Sequence, residues 1–597
     1  VSLKDFLIKP GFFTLDTDRD SKGRWKNGDH VRFWKGLPQK LGGWQKRATS
    51  TFLGICRALT DWETLALVPY IALGTHLKLY VFNSIFYDIT PTRTSGTYGN
   101  NPLTTTSGSA VVTIHHVAHG ELAGDYVTIG GATAVATITV SGQYTVTSVV
   151  DADNFTITHS APANANAVGG GAVVTYVYDI HVGNVDSVPG LGYGAGSYGV
   201  GTYGTPRSIT DFLTFARIWS LDQWGEDLIG CPRDGGIYLW DASVGTGTRA
   251  AAIVGAPTTA KAVFVSAENR QLVVLGASGD PMLIQWSNAE DYSVFTPGET
   301  VTAGEKRVDI GNQLYCAVKG KHETLIFSDT YVWSMQFIGP PYNFGFEGLG
   351  FTNSIMGPNA AVELNGVAYW MSQNEFYYYD GEIKVLPCDV LNHIVDDINV
   401  DQRVKVYAGV NREFGEVWWL YPSSLSTECD RYVAFNPTDG TWVYGTLART
   451  ALNGELKTFT DVVATGINGI LYDHEAGVDD DGSAMTAYLE SADAELQAVN
   501  PIQGPATGEG ENMMFVRGLI PDFKTLTGSV DITLKAKRYP QSTEQISSTP
   551  TTVTASTLTA NARIRGRQID VYIESDEIGD HWRMGRLRLD TRPHGKK

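Results

Sequence analysis

The stretch RYVAFNPTDGTWVYG, Arg431 to Gly445, carries the pattern from which the fold is read. An apolar strand runs into a polar turn, and a second strand rich in aromatics leaves it. Residues of this kind favour a pleated, half-buried surface. Asp439 and Gly440 sit side by side at the centre. That pair predicts a type I′-like turn between the two arms.

The same unit recurs on both sides of this stretch. It appears in IALGTHLKLYVFN (Ile71 to Asn83), LIGCPRDGGIYLWD (Leu228 to Asp241) and LVVLGASGDPMLIQWS (Leu272 to Ser287). It returns in TLIFSDTYVWSM (Thr324 to Met335), VAYWMSQNEFYYYDG (Val367 to Gly381) and VATGINGILYDH (Val463 to His474). Successive copies often lie about 40 to 50 residues apart, the spacing of four-stranded propeller blades. No strict WD or kelch signature accompanies them. The expected fold class is therefore all-β: an irregular β-propeller core of roughly six to eight blades, with stacked β-sandwiches as the alternative. Helical signals are few. The best is PCDVLNHIVDDI, where Val390, Leu391, Ile394, Val395 and Ile398 share one face and Asp389 is the expected N-cap.

Composition shifts divide the chain. Residues 1–90 read as an N-terminal segment with the first blade or blades. Residues 91–182 are rich in Thr, Val, Ala and Gly and poor in charge, and read as an inserted small β domain with hairpins at His119–Gly120 and Asp151–Asn154. Residues 183–205 form a Gly/Tyr-rich loop, and residues 206–475 hold the remaining blades. From 476 to 597 the alternation in VDITLKAK (Val530 to Lys537), QIDVYIES (Gln568 to Ser575) and GRLRLD predicts a C-terminal β domain resembling a sandwich. Its last part is basic, through Arg563, Arg565, Arg567, Arg583, Arg586, Arg588 and Arg592, in a chain of 597 residues whose formal net charge is −19.

That overall charge argues against a static nucleic-acid binder, which needs a basic face to neutralise phosphates. Charged residues are 18% and aromatic residues 11% of the chain. Many strands, tight turns and large interfaces produce that mix. The five cysteines, Cys56, Cys231, Cys316, Cys388 and Cys429, are far apart and form no C-x-x-C, so buried reduced thiols are expected. The start, VSLKDFLIKPGFF, lacks the apolar core of a signal peptide, and LALVPYIALG (Leu65 to Gly74) is too short to span a bilayer.

Motifs that suggest chemistry fail on inspection. GAGSYG (Gly194 to Gly199) fits G-x-G-x-x-G but lies inside PGLGYGAGSYGVGTYGTP, with no strand before it and no helix after it. An extended loop that packs its tyrosines on a flat surface is the better expectation. His115 and His116 point to opposite sides of a strand, and no acidic residue or cysteine nearby completes a metal set with them and His119. DHEAGVDDDGS (Asp473 to Ser483) misses the EF-hand template and reads as an acidic surface turn. NPTDGTW (Asn436 to Trp442) lacks the residue that the Asp-box of sialidase propellers places between Asp and Gly. The sequence thus singles out no catalytic, cofactor-binding or metal-ligating residue, and a non-enzymatic protein without cofactor is expected.

Four segments together resemble one family. RWKNGDHVRFWKGLPQKLGGW (Arg24 to Trp44) is similar to the N-terminal signature of the tail nozzle proteins of short-tailed bacteriophages, also called tail tubular protein B, tail hub or stabilisation proteins. The Gly/Tyr stretch followed by WSLDQWGEDLIGCPRDGGIYLWD (Trp219 to Asp241) resembles the same family. So do Glu416 to Thr450 and the ending RGRQIDVYIESDEIGDHWRMGRLRLDTRPHGKK. The resemblance covers nearly the whole chain and is weakest in the insertion. It implies a structural virion protein assembled in the host cytoplasm. Six copies would form a ring around a DNA channel, docked on the adaptor of the head-to-tail connector and carrying fibres or a needle-like plug. No catalytic residue comes with it. The alternative is a glycan-binding or glycan-degrading β-propeller.

Overall fold

Strands of two to ten residues, joined by turns, make up most of the regular structure among the described residues. This computed structural model describes residues 2–6, 8–17, 21–188, 214–454, 458–459, 461–495, 513–542 and 545–595. The Gly/Tyr-rich stretch, with Tyr193, Tyr198 and Tyr203, lies outside the described residues. The chain divides into two compact units. One comprises Val1–Thr51, Ile310–Ile338 and Phe344–Lys597, and the other Phe52–Asp309 with Gly339–Asn343.

The unit built on Phe52–Asp309 contains three four-stranded antiparallel sheets of blade type. Their strands are Cys56–Glu63, Pro69–Thr75, Leu79–Asn83 and Ile85–Asp88; then Trp219–Trp224, Asp227–Pro232, Tyr238–Trp240 and Ala251–Ala252; then Ala262–Val265, Leu272–Leu275, Leu283–Trp286 and Gly304–Arg307. Within each sheet the strands follow chain order, and the first strands of successive sheets lie side by side, the arrangement of propeller blades. Tryptophans stitch neighbouring blades. Trp62 Nε1 donates to the Glu226 carbonyl at 2.8 Å, and Trp219 Nε1 donates to the Thr75 carbonyl at 2.8 Å. Each indole thereby buries its ring and satisfies its only donor.

The insertion leaves the first blade at Ile89 and returns at Ile180, where the Ile180 amide donates to the Pro91 carbonyl at 2.9–3.0 Å spacing typical of a ladder (3.0 Å). It is one eight-stranded sheet curled over its own core, which includes Leu103, Val112, Ile114, Val127, Phe155 and Tyr178. The long strand Gly142–Asp151 bends at two bulges, so its first half pairs with Tyr126–Gly130 and its second half with Asn154–Thr158. The hairpin predicted at Asp151–Asn154 is present. The one predicted at His119–Gly120 is not, because Val111–His115 pairs with Asn154–Thr158 rather than with the next strand. At the neck of the insertion buried Lys78 lies 2.5 Å from Asp179 and 3.0 Å from Asp88, and Arg249 lies 2.7 Å from Asp179.

The other unit contains four more blade sheets. Three are continuous: Leu314–Lys319 to Asn343–Phe351, Ala361–Leu364 to Ile383–Leu386, and Tyr407–Asn411 to Thr441–Thr446. The fourth joins Arg449–Asn453, Val462–Gly466 and Leu471–His474 to the distant strand Trp44–Lys46, with His474 opposite Trp44. Indole stitches recur here, from Trp419 to the Ala360 carbonyl (3.1 Å) and from Trp442 to the Pro387 carbonyl (2.9 Å). The fold class expected from the repeat, all-β with a propeller-type core, an inserted β domain and a sandwich-like C-terminal domain, is the one found.

Residues 1–90 do not act as one segment. The strands Trp25–Asp29 and Leu37–Lys40 leave the blades and pair with C-terminal strands, and Val31–Trp34 joins the same sheet as the hairpin partner of Leu37–Lys40. The C-terminal domain is thus built from both ends of the chain. Its alternation is as predicted in Ser529–Lys537, where Val530, Ile532, Leu534 and Ala536 are buried. In Gln568–Ser575 the polar face is buried as well, at Gln568 and Asp570.

Three local expectations need correction. In NPTDGTW only Gly440 has positive φ (64°), whereas a type I′ turn needs two such residues. Asn436 shapes a four-residue loop instead, its side-chain oxygen accepting from the Thr438 and Asp439 amides at 2.9 and 3.2 Å. The helix is Leu391–Asp397, and Val390 rather than Asp389 occupies its N-cap. The Asp389 carbonyl accepts from the Thr14 amide (2.9 Å) and its carboxylate faces Arg24 (3.8 Å), so the N-terminal segment holds it away from the helix. Lastly, every tryptophan except Trp34 is buried within the chain, so indoles supply blade cores rather than interfaces.

Candidate interaction surface

The signature Arg24 to Trp44 forms a latch. Arg32 is fully buried, and its guanidinium reaches Glu416 at 3.2 Å, pairs with Glu475 and stacks on Phe414 at 3.6 Å. Glu475 also accepts from Asn411 Nδ2 (2.9 Å) and from the Gly42 amide (3.1 Å). Burial pushes the Glu416 carboxyl up, and the Arg32 charge opposes that shift. A planar donor fork between two carboxylates ties the N-terminal segment to two blades at once.

The other sequence candidates have structural partners. In the acidic turn, Asp473 pairs with Arg47 (2.5 Å), Asp480 accepts from Trp44 Nε1, and Asp481 pairs with Lys46 (2.6 Å). The turn therefore fastens the N-terminal strand onto the last blade. His115 Nδ1 lies 3.1 Å from Asn154 Oδ1, whereas His116 packs among Tyr98, Tyr176 and Tyr178. His119 is buried, with Nε2 3.1 Å from the Asp151 carbonyl. The five cysteines are buried thiols, as expected. Among the described residues no three His, Cys, Asp or Glu side chains converge as a metal ion requires, and no helix is long and apolar enough to cross a membrane.

The C-terminal arginines are sorted by the fold. One sheet runs Ser2–Phe6, Leu587–Pro593, Met514–Ile520, Ala560–Gly566 in spatial order. Its inner face buries Val516, Leu519, Ile564, Leu587 and Leu589. Its outer face carries Arg563, Arg565, Arg588 and Arg592, all exposed, together with Arg517, exposed at a bulge of the central strand. Phe515 lies directly between Arg565 and Arg592 across three strands. Asp590 is the one carboxylate there among side chains described for these strands. The remaining three arginines are placed otherwise. Arg583 donates inward to the Trp34 carbonyl (2.6 Å), Arg567 lies over Tyr539, and Arg586 lines a neighbouring cleft of about 550 Å³. That cleft has an apolar lining that includes Trp25, Leu37 and Met584, with Lys9, Lys22 and Arg586 as its charged residues. Arg517 escapes the sequence reading because it lies far from the arginine-rich tail; only the register brings it there.

A buried carboxyl pair was equally invisible in the sequence. Asp493 and Asp570 are both inaccessible, and their carboxyls lie against each other. Asp570 Oδ2 is 3.2 Å from Lys26 Nζ, and Asp493 Oδ1 is 3.4 Å from Lys537 Nζ. Burial first, and the Asp493 carboxyl second, push Asp570 up to about 7, against the pull of Lys26 and Lys537.

No protein-family model and no curated protein matches the chain. Among solved structures it is similar to the endosialidase of phage phi92, at 12% identity and TM-score 0.20, over 70% of this chain. The chain spans 64% of that endosialidase. It is also similar to an inactive virginiamycin B lyase from Staphylococcus aureus in complex with quinupristin (8% identity, TM-score 0.28, 45% of this chain and 90% of that one). A third is PorZ of the type-IX secretion system of Porphyromonas gingivalis (9% identity, TM-score 0.28, 68% of this chain and 43% of that one).

Proposed function

We propose that this chain is a structural protein of a short phage tail, forming the distal nozzle through which genomic DNA leaves the particle. One observation carries the reading. Two of the stretches that resemble tail nozzle proteins, Arg24 to Trp44 and the last thirty or so residues, lie at opposite ends of the sequence yet fold into a single β domain, locked to the blades through Arg32. In this reading the blades are rigid walls and the terminal domain is a mount. A chain with net charge −19 gives a ring that repels phosphates, so DNA passes without sticking. The ring is a homohexamer docked on the adaptor, with fibres or a plug as further partners, and the protein acts without catalysis.

The test is a phage carrying an amber codon in this gene. The expected particles have filled or leaking heads, a shortened tail and no infectivity, and suppression restores all three. Particles with complete tails that fail only on capsulated hosts would instead mark a glycan-directed protein.

A further inference from the structure

We propose that Asp493 and Asp570 share one proton and work as a pH-operated clasp that holds the short strand Ala494–Glu495 on its sheet. The clasp belongs to the terminal domain itself and does not depend on the nozzle reading. Ala494 and Glu495 pair with Ile569 and Gln568, so the next residue back, Asp493, comes opposite Asp570. Both carboxyls are inaccessible and within hydrogen-bonding reach of each other. One oxygen of each is taken. Asp570 Oδ2 lies 3.2 Å from Lys26 Nζ and accepts from Gln545 Nε2 at 3.3 Å, and Asp493 Oδ1 lies 3.4 Å from Lys537 Nζ. The other two, Asp493 Oδ2 and Asp570 Oδ1, are buried without a donor among the described residues. If both carboxyls were ionised, these two oxygens would be charged, desolvated and unpaired. One proton turns one carboxyl into a donor and the other into its acceptor, and leaves a single charge on the pair.

The surrounding charges agree. Lys26 faces the pair from Trp25–Asp29, Glu490 from Ala487–Ser491, and Lys535 and Lys537 from Ser529–Lys537, opposite Asp570 and Gln568. Glu490 lies 3.6 Å from Lys26 and 2.6 Å from Lys535, and Glu495 accepts from Gln568 Nε2 at 3.0 Å. Tyr572, next on that face of the strand, donates to Glu574 at 3.3 Å and adds no charge. Lys26, Lys535 and Lys537 thus meet four carboxyls, those of Glu490, Asp493, Glu495 and Asp570, and one proton balances them. Loss of that proton to solvent leaves two like charges in contact. Asp493 is the side that gives way. Asp570 sits within an eight-residue strand paired along both edges, whereas Asp493 leads into a two-residue strand with one neighbour. Burial and the adjoining carboxyl push Asp570 up to about 7. The clasp is therefore closed in acid and opens as pH rises through that value.

The experiment uses the full chain beside Asp493→Asn, Asp570→Asn and the double variant, with melting curves to show that each folds. Asp493→Ser, a shorter neutral donor, replaces an Asp493→Asn variant that does not. Hydrogen exchange over residues 492–495 is followed from pH 5 to pH 9 and corrected for intrinsic rate. The wild type is expected to lose protection there by at least about 10-fold. Each single variant is expected to be flat, because an amide supplies the missing donor at every pH. The double variant is expected to add nothing to either single one, since both remove the same proton. Unchanged protection in the wild type overturns the proposal. So does an Asp493→Asn variant that keeps the wild-type pH response, because the proton would then belong to Asp570 alone. Infrared spectra read the proton itself. The carboxylic-acid C=O band that the wild type loses between pH 5 and pH 9 is expected to be smaller by one carboxyl in either single variant, and an undiminished band also overturns the proposal.

Discussion

Replacing Asp570 with Asn is expected to remove a pH dependence from the terminal domain. The carboxyl is inaccessible, lies against Asp493 and is pushed up to about 7 from an ordinary value of 3.8. A carboxyl raised on folding binds its proton more tightly in the folded than in the unfolded chain. Stability is therefore greatest in acid and falls as pH rises between the ordinary carboxyl range and about 7, then levels off. Each pH unit across that window is worth about 1.4 kcal/mol, so the step from pH 5 to pH 8 amounts to roughly 3 kcal/mol, or about 100-fold in an opening equilibrium. Asn fills the same volume, carries no charge and donates a hydrogen bond to Asp493. Lys26 keeps Glu490 as a partner at 3.6 Å, and Lys537 keeps Asp493 at 3.4 Å. Hydrogen exchange of peptides spanning Ala487–Ser491 and Gln568–Ser575, corrected for intrinsic rate, reads the local opening directly. The wild type is expected to lose protection from pH 5 to pH 8, and Asp570→Asn to be flat and better protected at pH 8. Equal slopes in both proteins, or a variant less protected at pH 8, would refute the reasoning.

Other perturbations follow from the same packing. Arg32→Met leaves Glu416 and Glu475 facing each other without their cation, and is expected to cost about 3–5 kcal/mol in the unit that holds them, read as a lower denaturant midpoint. Trp419→Phe removes the indole donor to the buried Ala360 carbonyl, which keeps the Met371 amide at 3.1 Å, and is expected to cost about 0.5–1.5 kcal/mol, read by the same denaturation. The five buried thiols are expected to react with a thiol reagent only on unfolding; rapid labelling of Cys231, whose thiol burial pushes up, would contradict the blade packing around it.

Much of the fold was legible because blade strands announce themselves locally. The apolar run, polar turn and aromatic exit of Arg431 to Gly445 are set within fifteen residues, and the burial of Val433, Phe435 and Trp442 follows directly. What stayed hidden depends on partners far away in sequence. Trp44–Lys46 is too short to be read as a strand, and becomes one only because Leu471–His474 offers it an edge. Asp389 satisfies every local rule for an N-cap, yet Thr14 and Arg24 claim it. The abundance of tryptophan was visible and its use was not, since an indole suits a blade core and an interface equally well. The arginine face was half legible. The tail showed its charge, but the register alone places Arg517 beside Arg563 and turns Arg583 inward to Trp34.

The most direct test of the central claim is electron microscopy of purified virions labelled with antibody against this chain. The account requires label at the distal end of a short tail, in averaged particles consistent with six copies. Label confined to peripheral fibres, or no label on particles, would contradict it.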